Sequence, residues 1–83
     1  MDPKELLEKY EAGERNFSKK QLMGIDLEGE NLTGIGFVAA DLSKADLSQT
    51  NLTEANLEGS NLLGADLSQA NFSKANIVRA NLL

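Results

Sequence analysis

The sequence predicts an all-β solenoid, a chain that turns once every five residues and winds around a shared axis, with a short α-helix closing its N-terminal end. Three observations predict it. A large apolar residue returns at every fifth position from Phe17 to Leu82. Asn or Asp stands immediately before it in twelve of fourteen cases, Gln21 and Gly36 being the exceptions. From residue 40 onward, the residue two places before it is always small: Ala, Ser or Thr.

The first element is the helix, assigned to residues 1–14. Asp2 is a capping residue, Pro3 fits the first helical turn, and Glu5 completes a capping box. Gly13 is placed to end the helix, and Glu5 and Lys9 form a favourable i,i+4 pair. Leu6, Leu7 and Tyr10 make one apolar stripe. A helix this short is marginal in water, so the stripe needs a surface to cover. The exposed first turn of a solenoid supplies one, since repeat stacks need capped ends.

The second element is the repeat body, residues 15–83. Its central residues are Phe17, Leu22, Leu27, Leu32, Phe37, Leu42, Leu47, Leu52, Leu57, Leu62, Leu67, Phe72, Ile77 and Leu82. A period of five smears these side chains around a helix and sends them alternately to opposite faces of a strand. All fourteen point inward only if the chain turns once per repeat. The small residue two places earlier then points inward too, and Asn or Asp faces out between them, where it can hydrogen-bond a tight turn.

The run ADLSKADLSQTNLTEANLEGSNLLGADLSQANFSKANIVRANLL resembles the A-(D/N)-L-x-x consensus of pentapeptide-repeat proteins. That resemblance implies a right-handed quadrilateral β-helix with four repeats per coil, hence about three and a half coils stacked at the strand spacing. The inward columns become Phe17/Phe37/Leu57/Ile77, Leu22/Leu42/Leu62/Leu82, Leu27/Leu47/Leu67 and Leu32/Leu52/Phe72. Phe17 and Phe37 are then neighbours one coil apart, favouring offset ring packing.

The two ends depart from this pattern. In the first coil the small inward positions carry Arg15, Lys20, Ile25, Glu30 and Ile35. Charges there cannot sit deep in a narrow core, so these side chains escape at the rim or the coil is distorted. The regular coil is expected to begin between Gly34 and Ala40. At the other end the repeat runs to Leu82 and Leu83 with no cap. An apolar disc with open strand edges invites association, either with a second copy or, in a longer parent chain, with a further coil.

Composition narrows the function classes. The 83 residues contain no Cys and no His, which excludes disulfides, zinc fingers and thiol or imidazole catalysis. Ser43, Ser48, Ser68 and Ser73 recur with no base to activate them and read as solvated turn residues. No phosphate-binding loop occurs, and no small-molecule substrate or cofactor is expected. The formal charge of −5 falls entirely on residues 21–83, which argues against nucleic acid and anionic membrane as partners. The column Asp26, Asp46 and Asp66 repels itself unless satisfied, and offers too few ligands for a calcium cage. Asn31, Asn51 and Asn71 are expected to stack as a structural ladder, each amide bonding backbone or a neighbour. With no long apolar run and a charged N-terminus, the expected location is the cytoplasm.

The chain is therefore expected to be a non-enzymatic interaction module, with a protein partner or self-association through the C-terminal coil. Some relatives are acidic DNA mimics that inhibit type II topoisomerases such as gyrase, and the resemblance implies that alternative. Candidate contact residues are those following the central positions on two adjacent faces: Met23, Leu63 and Leu83, and Val38 and Val78.

Overall fold

The computed structural model describes residues 1–82. The first element, α1, runs Pro3–Glu11, with Asp2 as its N-cap: the Glu5 N–H donates to Asp2 Oδ1 at 2.8 Å. Its C-terminus closes through Gly13 at φ 103°. The Glu14 N–H reaches Lys9 O at 2.9 Å and the Gly13 N–H reaches Tyr10 O at 2.9 Å, the paired bonds of a Schellman motif. Leu6 and Tyr10 are buried in the same core as Phe17, Leu22, Leu27 and Leu32, with Leu7 packed against it. The Tyr10 hydroxyl donates to Thr33 O at 2.7 Å, pinning α1 to the coil beneath it.

Beyond α1 the chain makes a turn every five residues. From Leu22 to Ile77 the carbonyl of each central residue accepts the N–H three residues on, as in Ile25 to Leu22 at 3.1 Å and Ala55 to Leu52 at 3.0 Å. The third turn residue has a left-handed backbone, the signature of a type II turn. Glycine fills this position at Gly24 and Gly59, but Lys19, Ala39, Lys44, Gln49, Glu54, Gln69, Lys74 and Arg79 hold it with φ between 57° and 63°. None of the eight is β-branched, the class for which this region is least accessible.

Successive coils pair in parallel at an offset of twenty residues: Asn16 with Gly36, Asp26 with Asp46, Asn51 with Asn71, Asn61 with Asn81. Four repeats therefore complete one coil. The bridges are single, with no continuous strands among the described residues. A turn every fifth residue leaves too few extended residues on each face to build a longer ladder.

The first coil is not distorted. Bridging begins at Asn16, well before the small inward residues become uniform at Ala40. Arg15 escapes and stacks on Tyr10, its Cζ 3.7 Å from the ring centroid, while Lys20 is exposed and Glu30 half-buried. Ile25 and Ile35 fill the space left behind and are buried. Phe17 and Phe37 stack as neighbours with centroids 6.4 Å apart, but tilted by 56° rather than parallel-offset.

The inward columns are sealed from Phe17 through Leu62. The last coil differs. Leu67 and Phe72 are half-buried, and Ile77 and Leu82 are 45% and 49% exposed, so these two are not core residues. They occupy the right columns, and no coil of the described residues covers them.

Candidate functional site

The outward Asn and Asp residues build the surface. In eleven repeats the Asx Oδ1 accepts the backbone N–H two residues on, at 2.9 to 3.2 Å. Each such Asx turn forms a rung. Where that residue is Ser or Thr, its hydroxyl donates to the same oxygen, as Ser43 does to Asp41 at 2.7 Å and Ser48 to Asp46 at 2.6 Å. Ser43 and Ser48 are buried, so they are hydrogen-bond donors locked against the turn and not solvated residues. Ser68 and Ser73 make the same bonds in the exposed last coil. The signal for these bonds in the sequence is Ser or Thr two places after Asn or Asp.

These rungs satisfy the stacked acids. The Ser43 hydroxyl, then the Ser43 N–H, hold the Asp41 carboxyl below its ordinary value of 3.8 against a smaller opposing push from desolvation, and Ser68 does the same for Asp66. Asn31, Asn51 and Asn71 stack coil over coil, and each amide oxygen accepts a backbone N–H of its own turn rather than bonding its neighbour in the stack. Asp26, Glu28 and Asp46 bring carboxylates within 4.8 Å of one another at the surface, with Asp26 Oδ1 already accepting the Glu28 N–H.

The residues of the expected contact patch are exposed to different degrees. Met23, Leu63 and Val78 are exposed, but Val38 is half-buried and Leu83 lies outside the described residues. The buried Ser43 separates Met23 from Leu63 in its column. Glu58, tied to Arg79 at 2.7 Å, separates Val38 from Val78. Within each of these columns the described apolar side chains are thus two coils apart, with a polar residue between them.

Two other features are concave. At the last coil, Leu67, Phe72, Ile77 and Leu82 line an apolar hollow of about 180 Å³. Around it, the N–H groups of Leu67, Phe72 and Ile77 find no backbone acceptor among the described residues, although their counterparts Leu47, Leu52 and Leu57 each donate to the next coil. Near the helix-capped end, Arg15, Asn16, Ser18, Gly34, Gly36, Val38 and Asn56 line an open notch of about 320 Å³. Among the described residues, no helix is long and apolar enough to cross a membrane.

Comparison with known proteins agrees with this geometry. The chain is similar over its whole length to HetL, described as a pentapeptide repeat protein involved in heterocyst differentiation regulation, from the cyanobacterium Nostoc sp. strain PCC 7120. Identity is 39% and the TM-score 0.52, and the chain spans 37% of HetL. No curated protein matches the chain. The family profile described as pentapeptide repeats matches in eight copies, over residues 21–59 and 50–82. With that profile covering most of the chain and a coil of four five-residue turns, the protein belongs to the pentapeptide-repeat family.

Proposed function

We propose that this chain is a right-handed quadrilateral β-helix acting as a non-enzymatic protein-binding scaffold, one domain made of the capping helix and the coils, and that its first contact is with a second copy through the last coil. The handedness is carried over from the family and from the likeness to HetL. One observation supports the contact above the others: the apolar hollow of Leu67, Phe72, Ile77 and Leu82 coincides with a row of N–H donors that lack acceptors among the described residues. Exposed apolar area next to an open edge favours pairing with another chain. The opposite end also has an open edge, since the N–H groups of Gln21, Asp26 and Asn31 find no backbone acceptor among the described residues, but it has no apolar hollow, because Leu6 and Tyr10 cover its core. A cytoplasmic setting fits a chain without cysteine.

Sedimentation equilibrium on the 83-residue chain tests this. Wild type should approach twice its 9.0 kDa mass at micromolar concentration, and Ile77→Lys with Leu82→Lys should hold it at 9.0 kDa. A wild-type chain that stays monomeric at every concentration sinks the proposal.

A further inference from the structure

Gly36 stands where twelve of the fourteen repeats place Asn or Asp, and it removes one rung from the column Asn16, Gly36, Asn56, Asn76. Its backbone does not require glycine for a left-handed turn. The coil is pulled close there instead: the Gly36 N–H meets Arg15 O at 2.6 Å, whereas the equivalent bonds from Asp41, Asp46, Asn51 and Asn56 measure 2.9 Å. A side chain at residue 36 would bring its Cβ within 3.1 Å of that carbonyl.

The missing rung has a chemical result. In eleven repeats the N–H two places on is satisfied by an Asx oxygen; the Val38 N–H has no acceptor among the described residues. Val38 lines the notch. The neighbouring amides of Asn16 and Asn56 spend their oxygens on Ser18 and Glu58, so their NH₂ groups remain as donors. At the rim, Arg15 stacks on the Tyr10 ring and donates hydrogen bonds only through Nη1, to Tyr10 O and Glu14 O, which leaves its other N–H groups without acceptors among the described residues. The acid nearest in the Val38 column, Glu58, is engaged by Arg79.

A backbone N–H, two amide NH₂ groups and a guanidinium are thus carried by residues that line one open notch. We propose that this notch receives the carboxylate of an acidic side chain from a protein partner, which completes the empty rung in trans. The fold itself demonstrates the chemistry: Asp41, Asp46 and Asp66 bind the equivalent N–H in cis. The charge on Arg15 selects a carboxylate over a neutral amide. The site lies at the end opposite the apolar hollow and does not depend on self-association.

Acetate is the probe. Titrated into the ¹⁵N-labelled 83-residue chain at constant ionic strength, it should move the Val38 amide proton downfield along a saturable curve, with a dissociation constant on the order of tens of millimolar. Acetamide over the same range should leave it in place. Gly36→Asn, which fills the rung in cis, should abolish the acetate response, and Arg15→Gln should weaken it roughly fivefold. No saturable shift at Val38, an equal response to acetamide, or a Gly36→Asn chain responding like wild type would each overturn the proposal. If Gly36→Asn does not fold against the Arg15 carbonyl, Arg15→Gln decides: unchanged acetate affinity there overturns it too.

Discussion

The first and last coils are written in the same five-residue pattern and end in opposite states. Phe17, Leu22, Leu27 and Leu32 are sealed, because α1 lies over them on one side and the second coil on the other. Phe72, Ile77 and Leu82 hold the equivalent columns and are partly or half exposed. The repeat thus specifies a coil's shape while its neighbours specify its burial, as expected of a quasi-one-dimensional stack. Stability should therefore be asymmetric along the axis.

The largest expected effect breaks the seal at the capped end. Leu6→Ala removes a fully buried side chain that closes the first coil and should cost about 2–5 kcal/mol in urea unfolding. Ile77→Ala, at 45% exposure, should cost less than about 1 kcal/mol in the same assay run at concentrations where the chain is monomeric. Equal losses at both ends would mean that stability is shared evenly and that the cap is incidental.

An intermediate effect probes the interior between them. Ser60 is completely buried in an inward column and its Oγ has no hydrogen-bond partner, whereas Thr50 at the equivalent place in another column donates to Leu47 O at 2.6 Å. Replacing an unsatisfied buried hydroxyl with a methyl group removes its desolvation cost, so Ser60→Ala should raise stability by about 1 kcal/mol. A thermal midpoint that falls instead would show that the hydroxyl has a partner in solution.

The smallest effect concerns acid. Asp41 and Asp66 have carboxyls held below 3.8 by their serines, so their stabilisation is present above that pH and is lost as pH falls through the depressed value. Asn keeps the accepting oxygen without titrating. Asp41→Asn and Asp66→Asn should therefore each lose less thermal stability than wild type as the pH is lowered from neutrality through the carboxylate range, measured by circular dichroism. The two should match although one coil is covered and the other open, because the rung is closed within its own turn. A clear difference between them would tie the rungs to the stack.

Much of this architecture is legible in the sequence because its rules are local. Fourteen apolar residues at one spacing leave the chain no other way to bury them, and Asp2, Pro3 and Gly13 mark the ends of α1 in the order their backbones require. The first coil is less legible because inward positions at a rim are not enclosed. Arg15 there can swing onto Tyr10, so a charge that would break an interior coil leaves this one regular. Ser43 and Ser48 escape a reading by residue type, because a hydroxyl looks solvated until the Asx oxygen two places before it is seen to bind it. Val38 and Val78 share a face by periodicity, and Glu58 stands between them in that column. Its tie to Arg79 depends on side-chain reach that periodicity does not encode. The notch at Gly36 is visible as an exception to the Asx rule; its meaning needs the orphaned Val38 N–H.

The twenty-residue offset also sets a grammar for length change. Removing or duplicating five residues would rotate every later side chain by one face, setting Phe37 over a leucine column and parting Asp46 from Asp26. Removing or duplicating twenty would leave each residue in its own column, with every Asx turn intact because none reaches outside its repeat. A gene encoding such a chain can drift in size by whole coils while each face keeps its lettering.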